Sequence, residues 1–204
     1  MKPTHLEFLV EEPSMEAFLR GWLPRVLPPC TLKFIQHRGK QDLLRNLEAR
    51  LRGYAAWLPT DRRIIVLVDR DDDDCLALKA RLEQSATKVG LRTRSSGGGL
   101  PWQVVNRIAI EELEAWYFGD WEAVRAVFPR MPDSIPARAA YRHADAIKGG
   151  TAQTLEHVLQ EHGYCKGGLQ KIPTARAVGQ AFDPGRCQSP SFRTFHAALV
   201  EAVS

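Results

Sequence analysis

The chain carries 204 residues, 44% of them hydrophobic and 25% charged, with a formal net charge of +4. Those proportions belong to an ordinary globular domain and exclude a disordered or collagen-like chain. No apolar run approaches the roughly 20 residues needed to cross a bilayer. The opening Met-Lys-Pro-Thr-His-Leu-Glu enters a strand-like pattern without a secretory h-region, so a cytoplasmic protein free of the membrane is expected. Cys30, Cys75, Cys165 and Cys187 are scattered with no C-x-x-C pair, which speaks against zinc and for free, partly buried thiols in a reducing compartment.

His5 to Val10 is short and apolar-rich, a buried strand that ends in Glu11-Glu12. Pro13-Ser14-Met15-Glu16 opens a helix, with proline suited to the first turn and an acid complementing the dipole. Ala17, Phe18, Leu19, Trp22 and Leu23 follow at helical spacing until Pro24 and Pro28-Pro29 stop them. Thr31 to Gln36 is a second strand, and after Gly39 the residues Leu43, Leu44, Leu47, Leu51 and Tyr54 line one face of a helix. Ile64 to Val68 is the unbroken apolar run of a central strand buried on both faces of a parallel sheet, with Asp69 just past its end. Cys75 to Val89 reads as a third helix, Leu91 to Arg94 as a short strand, and Ser95 to Gly99 as a flexible loop. Trp102 to Ile110 is strand-like, and Glu111 to Phe118 reads as the helix after it. This alternation predicts β-α-β units and a mostly parallel sheet flanked by helices, an α/β fold. Beyond Pro129 the pattern is helical, around 151–162, 173–182 and 191–203. The expected organisation is an α/β domain at 1–128 and a helical C-terminal extension at 129–204 packed on the same domain.

A mildly basic protein has packed its acids into tight places: Glu11-Glu12, Asp69 to Asp74 and Glu111 to Glu114. Like charges that close repel unless something cationic sits among them, and metal is the obvious candidate. Three strand-like runs end in acid, at Glu11, Asp69 and Glu111. If those runs are parallel neighbours, their acids meet at one edge, where ligands bind in open parallel sheets. Asp69 and Asp71, two residues apart where strand gives way to loop, can reach one cation. Oxygen-only ligation suits Mg²⁺ or Mn²⁺. Asp72, Asp73 and Asp74 read instead as a solvated loop that helps to cap the helix at Cys75.

Val10-Glu11, followed by an acid in the next helix's first turn and by Val66-Leu67-Val68-Asp69-Arg70-Asp71, resembles the toprim domain, the metal-dependent module of topoisomerases, primases and certain nucleases. The run from Ile110 through Glu114 and Trp116 to Asp120 resembles the Glu-x-Trp segment of small stand-alone toprim proteins, notably the bacterial family called domain of unknown function 4276. The resemblance to that family covers nearly the whole chain. It implies a toprim-like, Rossmann-like sheet and a Mg²⁺- or Mn²⁺-dependent nuclease acting on DNA or RNA. Glu11 then takes the place of the first-strand glutamate, a metal ligand and general acid or base; Asp69 and Asp71 take the Asp-x-Asp places; and Glu114 is the Glu of Glu-x-Trp. Two positions depart from the family pattern. Glu12 stands where glycine usually follows, and the helix-start acid falls at Met15, leaving Glu16 as its substitute or Glu12 and Glu16 as the pair. On a helix Glu111 and Glu114 share a face and Glu112 does not, so the third ligand is one of those two. The resemblance further implies an ATPase partner of the ABC or AAA type in phage defence. The alternative is a non-catalytic metal-binding subunit of such a complex.

Arg92 and Arg94, flanking the Ser-Gly loop expected beside the acids, are candidate contacts to a nucleic-acid backbone. Lys166 and Lys171, beside the Gly167-Gly168 turn, are candidates for a basic track that also includes Lys148, Arg176 and Arg193. Trp102, Trp116 and Trp121 read as core rather than base-stacking residues. There is no P-loop, Rossmann glycine fingerprint or Ser-His-Asp set, and a homodimer is left open.

Overall fold

The computed structural model describes residues 4–96 and 101–204; the glycine-rich stretch of the Ser-Gly loop, from Gly97, lies outside them. Four strands, β1 (His5–Val10), β2 (Thr31–Gln36), β3 (Arg62–Asp69) and β4 (Val104–Ala109), form one sheet in the order β2-β1-β3-β4, and every pairing is parallel. The expected α/β fold, a parallel sheet flanked by helices, is what the chain adopts, an arrangement consistent with a Rossmann- or toprim-like fold.

The helices α1 (Pro13–Val26), α2 (Lys40–Ala55) and α3 (Cys75–Thr87) alternate with the strands. Then come α4 (Glu114–Gly119), α5 (Trp121–Val127), α6 (Thr151–Glu161), α7 (Lys171–Ala181) and α8 (Pro190–Ala202). β3 is buried along nearly its whole length because both sheet faces are covered. Ile64, Val66 and Val68 enter a cluster with Leu43, Leu47 and Leu51 of α2 and Leu78 and Leu82 of α3. Ile65 and Leu67 enter the larger cluster on the other face, with α1, α4 and α6 to α8. Phe18, Trp22, Trp116, Phe182, Phe192 and Phe195 form its aromatic centre, with neighbouring ring centroids 4.8 to 6.4 Å apart. Trp102 and Trp121 are buried too; both indoles donate to protein oxygens, of Glu201 and Pro132.

Two expectations shift. Residues 91–94 form no strand: only a bridge from Thr93 to Val104 joins β4, and Arg94–Ser96 wind into a short 3-10 turn. The helix expected from Glu111 begins three residues later, at Glu114, because Glu111 sits at φ 65°, a left-handed conformation no α-helix accepts.

Candidate carboxylate site

The order β1-β3-β4 makes neighbours of the three strands that end in acid, so their carboxyl ends share one edge. Val10 pairs with Leu67, and Asp69 pairs with Ala109. Glu11 therefore follows β1 beside the end of β3, and its Oε2 accepts from the Asp69 amide at 3.1 Å. Asp69 is buried, and its Oδ1 has no partner. Glu114, the first residue of α4, is 2% exposed, and its Oε2 is likewise unpartnered. Among the described residues, no three His, Cys, Asp or Glu side chains converge closely enough to hold a metal ion as they stand.

Burial raises all three carboxyls, and Asp69 is pushed further by the other two. Desolvation pushes Glu11 up to about 7, opposed by its bond from the Asp69 amide and reinforced by the charge of Asp71. Desolvation pushes Glu114 up to about 7 against the pull of the Lys171 ammonium. Asp69 rises well above the carboxylate range, first through burial and then through Glu11 and Glu114. Tyr117, one turn along α4 from Glu114, buries an unpartnered hydroxyl in the same field.

The cations among these acids are side chains. Lys40, the first residue of α2 and only 9% exposed, donates to Asp71 at 2.7 Å and pairs with Asp73 at 2.6 Å. The same ammonium reaches the carbonyls of Arg70 at 2.8 Å and Asp69 at 3.3 Å. Arg70 pairs with Glu111, and the Asp71 amide donates to the Glu111 carbonyl at 2.9 Å. Asp71 and Glu111 are both left-handed, with φ of 49° and 65°, so this crossing is a strained backbone held by the Arg70–Glu111 pair.

A family model described as domain of unknown function (DUF4276) matches residues 10–200. The chain belongs to DUF4276. No curated protein and no solved structure matches it. The DUF4276 match starts one residue before Glu11 and runs into α8, so the acid edge and the C-terminal helices fall within one family match.

In this DUF4276 chain Glu11, Asp69 and Glu114 form the buried set, and Asp71 stands beside it, turned to Lys40. Of the two candidates Glu111 and Glu114, Glu111 is engaged by Arg70, while Glu114 is buried with an unpartnered oxygen. Glu112 accepts from the Ala152 amide and the Thr151 hydroxyl, capping the start of α6. Glu16 is not brought in: its carboxylate binds Arg20 and Gln36, each at 2.5 Å. Asp74 caps α3 through the Ala77 amide. Arg92 and Arg94 lie away from the acids, because the segment after α3 returns to the amino end of β4. There Arg92 bonds the Pro101 carbonyl and Arg94 pairs with Glu201. Lys166 is exposed in the loop before α7. Burial pulls the Lys171 ammonium down, but Glu114, Glu12, Glu112 and Asp69 together raise it, which places Lys171 at the acid edge. Sequence reasoning missed Lys40, Arg70 and Tyr117. Lys40 alone left a trace: a cation opening a helix is on the wrong end of the dipole and must answer to a charge elsewhere.

In donor chemistry, though not in the present spacing of its side chains, this set suits a hard divalent ion. Two buried carboxylate oxygens lack any donor, the ligands are all oxygen, and their mutual repulsion is what such a cation relieves. No helix among the described residues is long and apolar enough to cross a membrane.

Proposed function

We propose that this protein is a divalent-metal-dependent nuclease of toprim type, cleaving DNA or RNA phosphodiesters in the cytoplasm. The observation that carries the reading is the placement of Glu11, Asp69 and Glu114 at one sheet edge, at or just past the carboxyl ends of three parallel strands, all buried, with Asp69 and Glu114 each keeping an unsatisfied oxygen. These residues would hold Mg²⁺ or Mn²⁺, with Asp71 available once it leaves Lys40. When bound, such an ion polarises a phosphate and lowers the pKa of water. Glu11 and Glu114, both pushed up to about 7, are tuned to hold or yield a proton at neutral pH. Lys171 and Arg70 supply positive charge to draw a phosphate to an edge that is otherwise acidic. An ATPase partner in phage defence is the setting that the family resemblance adds.

The second reading is a non-catalytic subunit of an ATPase complex. Lys40 favours it, since its ammonium already neutralises Asp71 and Asp73. Cleavage of plasmid DNA and total tRNA with Mg²⁺ or Mn²⁺, wild type against Asp69→Ala, separates the two. Metal-dependent cutting lost in the variant is expected. Metal binding abolished by Asp69→Ala, without any cutting, selects the second reading. Absence of both metal binding and cutting sinks both.

A further inference from the structure

β4 is the outer strand of the sheet, and beyond it a groove of about 320 Å³ opens between α3 and α8. Its wall includes Lys79, Arg107, Ile108, Ile110, Asp145 and Thr194. Arg107 is 8% exposed, yet among the described residues its side chain makes one hydrogen bond, from Nη1 to the Asn106 carbonyl at 3.1 Å, and its buried Nε has no partner. Among the described residues, no carboxylate lies within ion-pair distance of it. The Lys79 ammonium donates to that same Asn106 carbonyl at 2.6 Å. Two cations thus converge on one neutral oxygen.

Counted with Asp145, the cations and acids here balance, but Arg107 is the cation left outside every ion pair among the described residues. Lys79 is answered by Glu83 at 2.7 Å and the neighbouring Arg94 by Glu201 at 2.6 Å, which leaves Arg107 without a counter-ion. Asp145, the one acid in the wall, has its oxygens bonded by the Ser189 hydroxyl and the Ser191 amide. Burial, and next the charge of Arg94, pull the Arg107 guanidinium below its usual range, against a weaker upward pull from Glu83 and Glu201, neither of which pairs with it. A desolvated guanidinium outside any ion pair is costly to keep, and it has what an incoming anion needs: a planar fork of donors, with an ammonium alongside.

We propose that this groove is a binding site for a phosphate group, held by Arg107 and Lys79. A phosphate carries nearly two charges and several strong acceptor oxygens, enough to engage the fork and the ammonium together. Ile108, Ile110 and the 80%-exposed Leu76 form an apolar wall beside the cations, suited to the sugar and base of a nucleotide. The phosphate comes either from a free nucleotide or from a strand. Ile110 leads directly into Glu111, so a strand lying in the groove would pass toward the acid edge.

The test is binding in EDTA, so that it stands apart from any metal-dependent cleavage. Inorganic phosphate, AMP and a fluorescent 12-mer oligonucleotide are titrated into wild type, Arg107→Gln and Lys79→Met. Wild type is expected to bind, and each variant to lose tenfold or more. AMP bound as tightly as the 12-mer identifies a free nucleotide, and a clear preference for the 12-mer identifies a strand. Removing an unpaired buried charge should leave the phosphate-free melting temperature of Arg107→Gln unchanged or higher. If Arg107→Gln fails to fold, half-exposed Lys79→Met still decides. The proposal is overturned by absence of binding to wild type, by equal binding to Lys79→Met, or by acetate competing as well as phosphate.

Discussion

Glu11 and Glu114 carry a consequence for stability whose sign follows from their burial. In the unfolded chain each titrates near 4.5, while in the folded protein each is pushed up to about 7. Between those values the native state holds more protons than the unfolded state. The stability they contribute is therefore fully present below pH 4.5 and is lost as pH rises through 7. The expected slope is about 1.4 kcal/mol per pH unit for each proton, measured by urea unfolding of the metal-free protein across pH 5 to 8. Glu114→Gln should flatten it; a slope identical in wild type and variant would show that Glu114 titrates normally. Lys40 supports a second prediction. Lys40→Met leaves Asp71, Asp73 and two carbonyls without their shared donor, a loss of about 2 kcal/mol given that both carboxylates are half-exposed. Mn²⁺ should recover part of it by taking the ammonium's place; thermal melting with and without Mn²⁺ reads both effects, and a variant as stable as wild type rules the role out. The convergence of Glu11 with Asp69 was legible in the sequence, because parallel neighbouring strands bring their ends to one edge. The cation among them was not. Lys40 lies 29 residues from Asp69, and only the folding of α2 onto β3 joins them.

At the scale of elements, periodicity located what packing decides. β3 reads as a central strand because apolar residues serve both faces, and α2 reads as a helix because a single leucine stripe meets the sheet. What failed were segments set by local backbone rather than by burial. Leu91 and Thr93 are buried and suggest a strand, but the chain is only delivering itself to the start of β4. Glu111, Glu112 and Glu114 look like one helix until the left-handed turn at Glu111 resets the phase. The contact between α1 and α7 left no periodic trace, since it depends on glycine. A Cβ on Gly21 would lie 2.7 Å from the Arg176 carbonyl and 3.1 Å from the Gln180 amide, backbone atoms that cannot step aside cheaply. Gly21→Ala should therefore destabilise by about 1 to 3 kcal/mol despite its gain in helix propensity. At about 2 to 4 °C per kcal/mol for a chain of this size, calorimetry will resolve the shift. A variant that melts at or above wild type would mean the two helices separate freely.

For the whole molecule, the change of pattern after Pro129 divides the chain into 1–128 and 129–204, with the second part expected to pack on the first. The contacts argue for one cooperative unit. α1 and β1 share the larger cluster with α6, α7 and α8, and Trp22 packs against Phe182, Phe192 and Phe195. Polar contacts cross the same boundary. The Trp116 indole donates to the Ser191 hydroxyl at 3.0 Å, and buried Asp120 accepts from the Asp183 amide and the Arg186 guanidinium. Cutting the chain after Phe128 would expose Phe18, Trp22 and Trp116 together and strand Asp120 in an apolar surface without its arginine. Exposure of several such aromatics, at about 1.5 to 3 kcal/mol each, exceeds a large part of the roughly 5 to 15 kcal/mol that holds a typical domain together. The 1–128 fragment is therefore expected to lack a cooperative thermal transition and fixed near-ultraviolet dichroism. The full chain should instead melt in one step, with coincident far- and near-ultraviolet transitions. A fragment that melts cooperatively would show that the sheet with its first helices is sufficient, and that the C-terminal helices are an addition to a domain already complete.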